Sequence, residues 1–66
     1  MKNRLKIERA INDVTQDNLA KILGVSRQTI NAIEKGKYVP STVLALKIAR
    51  FCRKPLEEIF ELEDDD

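Results

Sequence analysis

The chain has no histidine, and its 66 residues include one cysteine, two glycines and two prolines. Without histidine and with a lone thiol, neither a Ser–His nor a Cys–His pair can be assembled, and no His/Cys metal cage is available. A single cysteine also excludes a disulfide within the chain. Cys52 follows Phe51 in an apolar pattern and reads as a core thiol. Two glycines leave nothing for a Gly-rich phosphate loop. No apolar run is long enough to span a membrane and no signal peptide is evident. These absences lead to the expectation of a cytoplasmic, non-enzymatic protein without metal or cofactor. Aromatic residues are scarce, and Tyr38 is the only one in the basic stretch. That argues against an RNA surface built on base stacking. A chain of this length makes one domain, residues 1–66, with a small core and no separate ligand domain.

The formal net charge is +1, but it is unevenly spread. Residues 1–54 hold all twelve Lys and Arg against four acids, Glu8, Asp13, Asp17 and Glu34, a balance of +8. Residues 55–66 hold seven acids and no base, a balance of −7. The body suits a polyanionic partner and the tail does not. The acidic tail, 61–66, reads by itself as a solubilising segment.

The stretch from Thr15 to Tyr38 organises the chain. Thr15 is an N-cap for a short helix with an apolar stripe of Leu19, Ala20 and Leu23. Gly24 then supplies a left-handed position that ends the helix and re-aims the chain. Ser26 caps a second helix, Arg27 to Glu34. At about 100° per residue, Ser26, Ile30 and Ile33 fall on the side expected to be buried. Gln28, Asn31, Ala32 and Lys35 fall opposite, flanked by Arg27 and Thr29. Taken alone that face could be an ordinary solvated one, yet Arg, Gln and Asn are the side chains that pair bidentately with base edges. Helix, glycine turn and second helix over about 15–35 form a helix-turn-helix pattern.

With Thr15-Gln16, Leu19-Ala20, Leu23-Gly24-Val25-Ser26-Arg27-Gln28-Thr29-Ile30-Asn31, Ile33-Glu34-Lys35-Gly36 and Pro40-Ser41, the chain resembles the Cro/phage-repressor-type (XRE) helix-turn-helix regulators. It looks like their small stand-alone members. The resemblance implies a five-helix all-α domain that binds operator DNA and usually dimerises. It also implies that Arg9 bridges to Glu34. Three positions depart from the family's pattern. Glu8 stands where Leu is common, with an apolar Ile11 after it. Thr42 stands where Leu is usual, and Lys54 where Ser often caps the last helix.

Helices are expected near 2–12, 16–23, 27–34, 42–52 and 56–61. Leu5, Ile7, Ala10 and Ile11 would form the apolar face of the first, extended by Val14. Ser41 would cap the fourth, and Leu44, Ala45, Ile48, Ala49, Phe51 and Cys52 would form its apolar face. Pro55, Glu57 and Glu58 suit the start of the fifth, and Glu61-Leu62-Glu63 alternates like a short strand.

The reading is a sequence-specific DNA-binding regulator, most simply a repressor, with the 27–34 helix in the major groove. Gln28 and Asn31 are the expected base readers, and Arg27 reaches a guanine or a phosphate. Gln16 is expected on a phosphate and as a brace for the 27–34 helix, with Ser26, Thr29, Lys35, Lys37 and Tyr38 as further backbone contacts. A homodimer on palindromic double-stranded DNA is expected, with Leu56, Phe60 and Leu62 as interface residues. The opposing reading of those three has Leu56 and Phe60 closing the monomer core. A different class also fits the pattern: an antitoxin-like interaction module of the same fold, which should carry exposed apolar residues on the second helix of the motif.

Overall fold

The computed structural model describes residues 1–66. A two-residue strand, β1 (Lys2–Asn3), leads into α1 (Leu5–Ile11), α2 (Gln16–Leu23), α3 (Arg27–Glu34) and α4 (Thr42–Cys52). A single 3-10 turn (Leu56–Glu58) follows, and β2 (Phe60–Glu61) closes the chain against β1.

Local chemistry fixes the last three helices, α2, α3 and α4. Thr15 Oγ1 accepts from Asn18 N at 3.0 Å. Ser26 Oγ accepts from Thr29 N at 3.1 Å, and Ser41 Oγ from Leu44 N at 3.2 Å. Each cap answers an orphan donor of the first turn and contributes about 1 kcal/mol. Gly24 ends α2 at φ 75°, in the left-handed region. Arg53 ends α4 in the same region at φ 57°, without glycine's freedom.

The core lies where the helices converge: Leu5, Leu19, Ala20, Leu23, Ile30, Ile33, Leu44, Ile48, Cys52, Ile59 and Phe60. Ala20 is the small residue in the α2 stripe, and α2 packs more extensively on α3 than on any other element. Thr42 is exposed in the first turn of α4, so its polarity takes nothing from the core.

Both ends differ from expectation. The expected fifth helix is only the 3-10 turn, so the fold has four helices and a small antiparallel sheet. Pro55 is extended at ψ 146°, and no side chain caps the turn. Ile59 and Phe60 reach the core from the segment that pairs with β1, in the register Lys2↔Glu61 and Asn3↔Phe60. At the other end, residues 2 and 3 belong to β1 and α1 starts at Leu5. Asn3 makes that junction. Its Oδ1 accepts from Leu5 N at 3.1 Å, and its Nδ2 donates to Ile33 O at 2.8 Å, one of the last carbonyls of α3.

The inward face of α1 also differs. Ile7 and Ile11 are exposed, as is Ala10, and the buried residues are Leu5 and Glu8. One turn of helix separates Leu5 from Glu8, which sets both on the core side. The carboxylate occupies an apolar position and is held there by Lys54, whose Nζ donates to Glu8 Oε2 at 2.7 Å.

Candidate nucleic-acid interface

The outer face of α3 is polar along its length. Arg27 and Gln28 are exposed and Asn31 is half-buried. Together they line a groove of about 280 Å³ that contains no apolar side chain. Hydrogen bonds within the chain do not engage these three head groups, so their donors and acceptors face solvent. A second, wider cleft of about 620 Å³ is lined by Arg9, Thr15, Gln16, Asp17 and Arg27. Arg27 belongs to both, which makes the two concavities neighbours at the start of α3.

The remaining sequence-derived candidates lie at the two ends of α3. Ser26 is exposed, contrary to its expected place on the buried side, because an N-cap stands outside the helical stripe. Its Oγ is 2.9 Å from Thr29 Oγ1, so the two hydroxyls are bonded to each other. At the far end, the backbone turns through Gly36 at φ 72°. Lys35 and Lys37 are exposed there, and Tyr38 is 46% exposed. Pro40 beyond them is buried, which pins the loop to the body.

Between α1, α2 and α3 sits a network of charge-assisted bonds. Arg9 Nε donates to Glu34 Oε2 at 2.8 Å, and Arg9 Nη2 donates to Glu34 Oε1 at 3.3 Å. This is the bridge that the resemblance implies. Arg9 Nη1 donates to Val14 O at 3.1 Å. Gln16 Nε2 donates to Glu34 Oε1 at 3.1 Å. The hydrogen bond to Glu34 raises the Arg9 guanidinium above its usual value, with burial opposing. The sequence suggests the bridge and a brace from Gln16 to α3, but neither Glu34 as the acceptor of both nor the place of Arg9 in the wall of the cleft. Both depend on how α2 packs on α3.

The three candidate interface residues part company. Leu56 is half-buried against the core. Phe60 is buried at 8% exposure, a core residue of the monomer and not a surplus one, because the β1–β2 pairing draws it inward. Leu62 is 77% exposed. Around it the acidic end folds back on the N-terminus. The Met1 amine lies 2.9 Å from Glu63 Oε1 and 3.1 Å from Asp66 Oδ2.

No group of three or more His, Cys, Asp or Glu side chains is arranged to hold a metal ion, and no helix is long and apolar enough to cross a membrane. Burial raises the Cys52 thiol above its usual value, which disfavours the reactive thiolate.

A capped helix, a left-handed glycine turn and a second helix with a polar outer face define a helix-turn-helix protein, and the chain belongs to that family: the family's pattern matches residues 5–59. Among its relatives is an uncharacterized HTH-type transcriptional regulator of Methanocaldococcus jannaschii, 62% identical over the full length of both chains. YgzD of Bacillus subtilis, likewise named an HTH-type transcriptional regulator, is 47% identical over the full length of both. A third, from Archaeoglobus fulgidus, is 47% identical over all of this chain and 93% of the relative.

Proposed function

We propose that the protein is a sequence-specific, DNA-binding transcriptional repressor that reads the major groove with α3. The observation that carries this is the groove formed by Arg27, Gln28 and Asn31, polar throughout and with its head groups unspent. Gln28 and Asn31 have the paired donor and acceptor that match adenine, and Arg27 has the fork that matches guanine or a phosphate. Gln16, Ser26, Thr29, Lys35, Lys37 and Tyr38 flank the reading face at both ends, where phosphate contacts set register.

A lone α3 spans little DNA, so a homodimer on a palindromic operator fits the reading best. Its two recognition helices would sit about 34–36 Å apart on one face of the duplex. Leu62 and the half-buried Leu56 are the apolar groups the C-terminal segment offers to such a pair. The antitoxin-like alternative calls for exposed apolar residues on α3. None of the exposed large apolar side chains lies on α3: Ile7, Ile11, Ile22, Val43 and Leu46 are on the other helices, Tyr38 and Val39 in the loop that follows α3, and Leu62 in the tail.

Selection of bound duplexes from a random-sequence pool tests the reading. The expected result is an enriched motif of two inverted half-sites at that spacing. A pool that shows no enrichment after repeated rounds contradicts sequence-specific binding.

A further inference from the structure

Glu34 has no part in the reading so far, and an acid beside a DNA surface is ordinarily unfavourable, since it repels phosphate. Its surroundings argue for the opposite role. The Glu34 side chain is 5% exposed. Its carboxylate accepts two bonds from Arg9 and one from Gln16. Arg9 cancels its charge at close range. The other acid in the cleft, Asp17, faces solvent with Lys21 Nζ 3.6 Å away.

An ionised carboxylate can only accept hydrogen bonds. It therefore dictates which end of the Gln16 amide turns inward, and that end is the NH2 group. One amide hydrogen is committed to Glu34, while the second hydrogen and Oε1 remain available. Gln16 is half-buried and shares the wall of the larger cleft with Arg27. A glutamine without such a partner rotates freely and turns its carbonyl oxygen as readily as its N–H toward an incoming anion.

Resting on the DNA-binding reading, we infer that Glu34 is a positioning residue for DNA: it fixes the Gln16 amide so that an N–H is ready for a backbone phosphate entering the cleft beside Arg27. Glu34 acts through Gln16 and does not itself touch the nucleic acid. An amide at position 34 would lose this control, because it can offer Gln16 either a donor or an acceptor.

The sign of one substitution separates this inference from simple electrostatics. Glu34→Gln removes a negative charge next to the DNA, so charge alone predicts tighter binding. Positioning predicts weaker binding. The probe is a mixed-sequence duplex at fixed salt, since a phosphate contact does not depend on base sequence. With folding checked by thermal melting, Glu34→Gln and Gln16→Met should each weaken binding roughly three- to tenfold. Their combination should be no weaker than the worse single variant. Equal or tighter binding by Glu34→Gln, or losses that multiply, overturns the inference.

A second readout covers a Glu34→Gln chain that does not fold. In the wild type, nitrogen-resolved spectra should show the Gln16 side-chain amide slow in hydrogen exchange and shifted when duplex is added. A Gln16 amide that exchanges freely and ignores DNA also overturns it. If the wild type binds no duplex at all, the DNA-binding reading itself has failed. If it binds and Glu34→Gln binds equally well, only the role of Glu34 has failed.

Discussion

Glu8 Oε2 and Lys54 Nζ meet at 2.7 Å across 46 positions of chain, joining the middle of α1 to the residue just beyond the end of α4. Glu8 is 3% exposed. Each residue alone looks out of place: a carboxylate on an inward position of a helix, and a lysine before a proline where a cap would serve. Together they form one buried-to-surface ion pair. The pairing raises the Lys54 ammonium above its usual value through its bond to Glu8. It is only half sufficient, because Glu8 Oε1 is buried without a hydrogen-bond partner.

This geometry predicts opposite outcomes for the two ends of the pair. Lys54→Met leaves a buried carboxylate with no counter-charge, and the melting midpoint should fall by roughly 10 °C or more. Glu8→Leu removes the buried charge and its orphaned oxygen, and Lys54 can turn to solvent. Its midpoint should rise by about 5 °C or more. Thermal unfolding followed by circular dichroism decides, and a Glu8→Leu chain less stable than wild type would show that the pair contributes more than its burial costs.

Arg9 and Glu34 form the second pair, bidentate and nearly buried, with side-chain exposures of 19% and 5%. A double-mutant cycle with Arg9→Met and Glu34→Leu should give a stability coupling of about 0.5–3 kcal/mol. Strictly additive losses in denaturant melts would mean the two side chains do not meet in solution.

The clasp between the chain ends carries a pH signature. The Met1 amine is raised above its ordinary value near 8.0 by its hydrogen bonds to Glu63 and Asp66. A raised base stabilises fully below its unfolded value, and the contribution fades as pH climbs through the folded one. Asp66 is lowered from 3.8 by its bonds to the Glu63 backbone and the amine. A lowered acid stabilises above its unfolded value, and the contribution is lost as pH falls through the folded one. The clasp should therefore be intact between about pH 4 and 8 and weaken progressively beyond each edge, opening only once pH passes the raised value of the amine or the lowered value of Asp66. Chemical shifts of residues 61–66 followed from pH 2 to 11 should move at both edges, while those of α3 stay still. A tail that titrates as free residues do contradicts the contact.

The middle of the chain was legible because its signals are local. Thr15, Ser26 and Ser41 cap their own helices within three residues, and Gly24 sets its own backbone angle. The bounds read from them, 16–23, 27–34 and 42–52, are those of α2, α3 and α4. The ends were not legible, because their structure comes from partners far away in sequence. Pro55, Glu57 and Glu58 do mark a helix start, yet the pairing of Phe60 with Asn3 overrides it. The inward face of α1 differs for a related reason: its apolar residues Leu5, Ile7, Ala10 and Ile11 suggest one broad face, of which only Leu5 is buried. A buried carboxylate becomes reasonable only once Lys54 is known to lie against it. At the candidate interface, residue type alone picked out the polar face of α3. The partner through which Gln16 braces α3, Glu34, and the choice between core and interface for Phe60 required the packed structure.

The central claim is that α3 reads bases. The direct test compares single variants on two duplexes, the best sequence from a random-pool selection and an unrelated one, across a salt series. Gln28→Ala and Asn31→Ala should each weaken binding to the selected duplex by about 1–3 kcal/mol, relax the base preference at one position, and leave the unrelated duplex nearly unaffected. Lys37→Ala should weaken both duplexes alike and reduce the salt slope by about one unit. If Gln28→Ala and Asn31→Ala bind both duplexes as the wild type does, the exposed face of α3 is not the reading surface.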